Sequence, residues 1–266
     1  MIADVEQMLR AGKVPQAIEL MQNHLRRNPD DVQVLMRLAG VAAELGAVPQ
    51  ALSALRKVVQ VAPEHGHAWF GIADLEARRG NQAEADTCYR RAGYLLQSDP
   101  AVAYNHGVLL EEMGRTDEAI DAYREAILRR NDFAQAHNNA GTLLLAKGET
   151  ALATRHFNAA LRADPGLVEA TFNLGLIAEG AGDRAGAETR FRAVLDRDGA
   201  HHGALLGRAR QLTGGDGPQR LEALALCDGA ILNQPDDPQA HHARGVVLER
   251  LRRFPDAAQA FRDAWR

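Results

Sequence analysis

Ten histidines, two cysteines and one glycine-rich stretch carry the groups that could bind a metal, form a disulfide or cradle a phosphate. Their spacing argues against each use. The pairs His201-His202 and His241-His242 point about 100° apart on a helix, and neither an i, i+4 histidine pair nor HExxH occurs, so the histidines, "HGH" at 65–67 included, belong at turns and on solvated faces. Cys88 and Cys227 are far apart and lack a CxxC partner, which excludes a disulfide framework and a zinc site and leaves two buried thiols. The stretch "LTGGDGPQR" at 212–220 lacks the Gly-Lys-Ser/Thr and the preceding strand of a phosphate loop, and is expected to be a lengthened, flexible turn. Amides remain. Asn105, Asn139 and Asn173 recur at intervals of 34 residues, and a side-chain amide offers both donor and acceptor to the main chain of an extended peptide.

Bulk composition narrows the partner. Asp and Glu (35) outnumber Lys and Arg (31), so no basic face is available for nucleic acid. Apolar runs such as "GTLLLA" fall far short of a membrane span, and "MIADVEQMLR" lacks the pattern of a secretory signal, which predicts a cytoplasmic protein without membrane contact.

The interval of 34 residues runs along the whole chain and defines what must position these amides. With slots numbered 1–34, slot 20 is alanine every time, from Ala17 and Ala51 to Ala223 and Ala257. Slot 8 is Gly or Ala from Ala39 to Gly245, and slot 24 is mostly large, as in Met21, Tyr123, Phe157 and Phe191. Slot 15 is glycine from Gly12 to Gly182, and slot 32 is proline at Pro29, Pro63, Pro165 and Pro235. Small residues at slots 8 and 20 allow two antiparallel helices to approach, and slot 24 fills the space beside them. Glycine ends the first helix in a left-handed conformation, and proline ends the second. One such hairpin cannot bury its apolar faces alone, so neighbours must stack.

This pattern resembles the tetratricopeptide repeat family over essentially the entire chain. The resemblance implies an all-α, right-handed superhelical solenoid of about eight repeats, here 1–31, 32–65, 66–99, 100–133, 134–167, 168–201, 202–237 and 238–266. Repeat 7 carries two extra residues, since Ala209 and Ala223 are 14 apart instead of 12. Trp69 and His137, at slot 4, are expected to pack between helices.

In this family slots 2, 5, 6, 9, 12 and 13 of each first helix line a concave groove, and helical geometry agrees that most of them share one stripe. Repeats 2 and 3 place Arg37, Phe70 and Asp74 there, and repeat 4 adds Tyr104, Asn105 and Val108. Repeat 5 contributes Asn138, Asn139 and Thr142, followed by Phe172, Asn173 and Leu176 of repeat 6 and Arg210 of repeat 7. The asparagine row is similar, in part, to the asparagine ladder in the repeat arm of O-linked N-acetylglucosamine transferases, which holds extended substrates; Arg37, Gly71, Gly207 and Ala243 depart from it. No repeat has the paired cations at slots 2 and 6 that chaperone-binding members use to clamp a C-terminal carboxylate, since Arg37 stands with Gln33.

All of the sequence is assigned to repeats and no catalytic constellation is present. The expectation is a non-catalytic scaffold that binds a protein or extended peptide, without metal or cofactor. The alternative is the amino-terminal recruitment arm of a longer bacterial glycosyltransferase, sulfotransferase or methyltransferase. It rests on the ending "AAQAFRDAWR", where Phe261, Ala264 and Trp265 precede no polar capping helix. A third expectation is self-association through that uncapped end.

Overall fold

The computed structural model describes residues 1–265, and every regular element among them is an α-helix. The first eight are α1 (Ile2–Arg10), α2 (Val14–Arg27), α3 (Val32–Glu44), α4 (Val48–Val61), α5 (Gly66–Arg78), α6 (Gln82–Leu95), α7 (Pro100–Glu112) and α8 (Thr116–Arg129). The rest are α9 (Ala134–Ala146), α10 (Thr150–Ala163), α11 (Val168–Gly180), α12 (Arg184–Leu195), α13 (His202–Thr213), α14 (Gly217–Asn233), α15 (Pro238–Arg250) and α16 (Phe254–Asp263). They form two compact units, one over Met1–Asn131 and one beginning at Asp132, each holding four helical hairpins. Within each unit the second helix of one hairpin packs on the first helix of the next, as α4 does on α5 and α12 on α13. None of the described helices is long and apolar enough to cross a membrane.

The first six hairpins are closed by the chemistry that the period announces, a left-handed glycine from Gly12 to Gly182. After α3, Gly46 has φ +71°, and the Ala47 N–H reaches back to the Ala42 carbonyl at 2.8 Å, which satisfies an end carbonyl that the helix leaves open. The last hairpin makes the same turn with Arg252 at φ 59°, the one non-glycine residue in that region among those described. A Cβ there crowds the following carbonyl, so Arg252→Gly is expected to raise stability by about 1 kcal/mol, read as a higher melting temperature.

Slots 8 and 24 are matched in size in most hairpins, the third being an exception with Ala73 beside Tyr89. A Cβ on Gly141 would lie 2.8 Å from the Phe157 ring, and one on Gly245 would lie 2.5 Å from Phe261. Where slot 24 is the smaller Leu55 or Cys227, slot 8 carries the methyl of Ala39 or Ala209. Tyr123, Phe157 and Phe191 are consequently fully buried in their hairpins.

The core also holds a charge. Glu76 on α5 is 0% exposed, and its carboxylate accepts hydrogen bonds from Arg56 (2.7 Å), Arg79 (3.2 Å) and Asn81 (2.5 Å).

The glycine-rich stretch departs from expectation. Only Gly214–Asp216 separate α13 from α14, the same three residues that separate α1 from α2, and the extra length lies in α14, which has 17 residues against 14 in α4. Asp216 accepts the Gln219 N–H at 3.0 Å while the Gln219 side chain accepts the Asp216 N–H, and Pro218 sits in the first turn. This reciprocal cap makes the stretch a helix start and not a lengthened turn.

Candidate functional site

In the first unit the candidate residues lie on α3, α5 and α7 and are joined by a regular set of polar bonds. Arg37 Nε stands 2.6 Å from Glu6 of the preceding hairpin. Two repeats later, Asn105 donates its amide to Asp74 at 3.2 Å. Asp74 also accepts the Tyr89 hydroxyl; burial and then the Asp74 hydrogen bond push that phenol far above its ordinary range, so it stays protonated and donates. Phe70 and Tyr104 face the same side, their rings 6.1 and 5.7 Å from Tyr89 and Tyr123 below them. Val108 is half-buried beside them.

The second unit repeats the arrangement. Asn173 donates to Thr142 Oγ1 at 3.3 Å, and Thr142 in turn bonds the Asn138 carbonyl at 3.1 Å. Asn138 leans on Asn139 at 3.4 Å, while the Asn138 side-chain oxygen is buried with no hydrogen-bond partner among the described residues. Phe172 sits between Phe191 (5.9 Å) and His201 (4.7 Å), a fit that requires Gly203, where a Cβ would come within 2.5 Å of the ring. Leu176 packs partly buried on that core. Arg210 grips Glu179 of the preceding hairpin at 2.8 and 3.0 Å.

Two features of this face are absent from the sequence reading. The slot 6 side chain pairs with slot 9 of the preceding hairpin, giving Arg37–Glu6, Asn105–Asp74 and Asn173–Thr142. In the sequence the signal is an interval of 31 residues between complementary polar groups. The slot 5 aromatics are not free flanks, because each packs against the slot 24 ring of its own hairpin and is half-buried. The carbonyl oxygens of Asn105 and Asn173 nevertheless accept nothing from the described chain, so each amide holds the wall with its N–H and keeps an acceptor for an incoming donor.

Each unit also has a cavity on this side. In the first, Val32, Gln33, Met36, Arg37 and His67 contribute to one of about 530 Å³. In the second, Arg210, Thr213, Gln239, His242, Val246 and Trp265 surround about 660 Å³. Of the latter residues the sequence singled out Arg210 for the groove; Gln239 and His242 are polar residues of ordinary type, and only the stacking of α13 and α15 brings them to it. At this end Phe261 packs on His242 at 5.4 Å between rings, and the exposed aromatics are Phe254 and Trp265, the latter 90% exposed.

The other groups with chemistry take structural posts. Burial pushes the Cys88 and Cys227 thiols up to about 11 and about 12, which keeps them protonated. His24, His106 and His202 each bond an aspartate, at 2.8, 2.6 and 2.7 Å from Asp31, Asp86 and Asp237. Asp86 loses hydration on burial, yet hydrogen bonds from Arg90, His106 and Arg115 outweigh that and hold its carboxyl well below the usual range. His137 and His156 come together inside one hairpin with Nδ1 atoms 3.1 Å apart, as slots 4 and 23 of facing helices. Trp69, also at slot 4, is half-buried and donates its indole N–H to the Pro63 carbonyl at 2.8 Å, tying α5 to the turn before it. No group of three metal-ligating side chains occurs among the described residues.

Comparison with known proteins bears on the fold. The sequence matches the family model described as "Tetratricopeptide repeat" over residues 9–63, 48–93, 104–168 and 219–265. No curated protein matches it. Among solved structures it is similar to PilF of Pseudomonas aeruginosa, with 19% identity over 79% of this chain and 94% of that one at a TM-score of 0.68. It is similar also to a tetratricopeptide repeat protein of Parabacteroides merdae, with 17% identity over 88% and 91% of the two chains and a TM-score of 0.66. A third, YrrB, is described as a protein of this type with an unusual peptide-binding site; it shares 18% identity over 85% of this chain and 98% of its own at a TM-score of 0.54.

Proposed function

Because the chain belongs to the tetratricopeptide repeat family, matched along most of its length, we propose that it is a non-catalytic scaffold whose first-helix faces bind extended peptide segments of partner proteins. The observation that carries this reading is the state of the slot 6 amides. Asn105 in the first unit and Asn173 in the second are each fixed by one N–H to the preceding hairpin, and each keeps an unused carbonyl on the first-helix side of its own unit. A fixed amide acceptor on the first-helix side of each unit suits a ligand with regularly placed donors, which is the main chain of an extended peptide. Half-buried rings at Tyr104 and Phe172 supply apolar contact beside the acceptors. The peptide-binding description of the structurally similar YrrB is in keeping with this use.

The second unit offers the more complete version, with Asn139 and Asn173 on successive hairpins and the cavity around Arg210 and His242 beyond them. Peptides selected on the wild-type chain from a random library are expected to bind Asn139→Ala/Asn173→Ala about tenfold more weakly or worse, since each lost hydrogen bond is worth about 1 kcal/mol. Adding Asn105→Ala extends the test to the first unit. The melting temperature should fall only slightly, because these amides are exposed or partly exposed. Unchanged affinity, measured by fluorescence anisotropy on the folded variant, overturns the reading.

A further inference from the structure

The turn of the last hairpin reads Arg250-Leu251-Arg252-Arg253-Phe254, where the second hairpin has Glu44-Leu45-Gly46-Ala47-Val48. It joins α15 to α16, and all of its residues are exposed except the half-buried Leu251. Arg252 holds, at φ 59°, the left-handed position that six other hairpins give to glycine. A residue kept against its backbone preference points to a use outside the fold, because glycine would serve the turn at less cost.

The charge of this turn is unmatched. The side chains of Arg250 and Arg252 make no hydrogen bond or ion pair among the described residues. Arg220, near the start of α14, is brought to the turn by an N–H donated to the Arg250 carbonyl at 3.3 Å, and its buried Nε has no partner among the described residues. Arg253 alone is paired, with Asp256 at 2.7 Å. Other carboxylates nearby are few: Asp216, one turn before Arg220, caps α14, Glu222 pairs with Arg208 at 2.5 Å, and the exposed Glu249 remains. In repeats 3, 4 and 5, by contrast, the cations beside the turn glycine are matched, Arg79 by Glu76 at 3.2 Å, Arg115 by Asp86 at 2.8 Å and Lys147 by Glu149 at 3.6 Å. A chain of formal net charge −4 thus gathers unpaired cations at this turn. Beside them Phe254 is 61% exposed, and Leu221, next to Arg220, is 58% exposed.

We propose that this turn is a second interaction surface, which binds an acidic segment of a partner protein that carries a large apolar side chain among its carboxylates. Free guanidinium groups take carboxylates in a bidentate fit, and the exposed Phe254 and Leu221 gain by leaving water against an apolar side chain. Arg252, Arg253 and Phe254, at slots 15 to 17, lie outside the slots of the peptide-binding face, and Arg250, at slot 13, stands at its margin.

The test uses the full chain and a short fluorescent peptide of aspartates and glutamates around one leucine, followed by fluorescence anisotropy. Saturable binding is expected, weakening as salt is raised, and the same peptide with asparagine and glutamine in place of the acids should not bind. Arg252→Gly should raise the melting temperature and yet weaken the peptide about threefold, and Arg250→Ala/Arg252→Gly should weaken it about tenfold. Phe254→Ser should weaken the leucine peptide more than a version with alanine at that place. Undiminished binding to Arg250→Ala/Arg252→Gly, or equal binding of the amide control, would overturn the proposal. So would loss of binding in Asn139→Ala/Asn173→Ala, which would put the acidic peptide on the first-helix faces. Binding to phosphatidylserine vesicles with none to the peptide would also overturn it, by assigning the cations to a lipid surface.

Discussion

Phe191→Ala is expected to lower the stability of the chain by about 3–5 kcal/mol, with a Gly175→Ala second substitution giving part of it back. Phe191 is 0% exposed and lies between two first helices, each cut back to glycine to receive it. Its ring atoms come within 2.8 Å of where a Cβ would stand on Gly175 of its own hairpin and on Gly207 of the next. Truncation therefore empties a space bounded by two hairpins, in a unit where each hairpin is held by its neighbours. Gly175→Ala alone forces a methyl against the ring and should cost about 1–3 kcal/mol. In the double variant that methyl enters the space the ring has left, so the combined loss should be smaller than the sum of the two by about 1 kcal/mol or more. Urea denaturation of the four proteins measures this, and simple additivity would mean that the glycine at slot 8 serves something other than the ring.

The second large effect is at Glu76. Its carboxylate is fully buried, but the guanidinium groups of Arg56 and Arg79 that bond it are about half exposed. Removing a buried partner usually costs the most when the other charge is trapped with no solvent, and here both cations can turn outward. Glu76→Ala is therefore expected to cost about 2–3 kcal/mol, below the range for a trapped pair, through the lost hydrogen bonds and the vacated volume. Glu76→Gln keeps the volume and some of the bonds and should cost less. Thermal melts that rank the two variants in the opposite order would argue that charge repulsion, and not satisfaction of buried groups, governs this part of α5.

Glu76 also marks what a repeat pattern hides. It occupies slot 11, facing the packed helix; Arg79 and Asn81 are sequence neighbours at i+3 and i+5, but nothing local says that Arg56 of the preceding helix will meet it. The interval between Arg56 and Glu76 is a matter of how α4 lies on α5. The face that carries the asparagines behaves likewise. The row Asn105, Asn139 and Asn173 was legible because equal spacing in a repeat means equal position, yet the bonds to Asp74 and Thr142 that orient two of those amides cross from one hairpin to the next. The glycine-rich stretch at 212–220 was misread for a related reason: its glycines suggested flexibility, while the Asp216–Gln219 cap and the packing of Ala223 and Leu224 on the core make a longer helix the more stable use of two extra residues.

By itself the sequence determined the hairpins: a size match between slots 8 and 24, alanine at slot 20 and a left-handed glycine at slot 15 are local requirements that repeat with the chain, so periodicity reveals them. Tertiary structure decided the division into two units and the polar bonds between successive hairpins. These depend on how one hairpin lies against another, where residues about 31 apart or on facing helices meet.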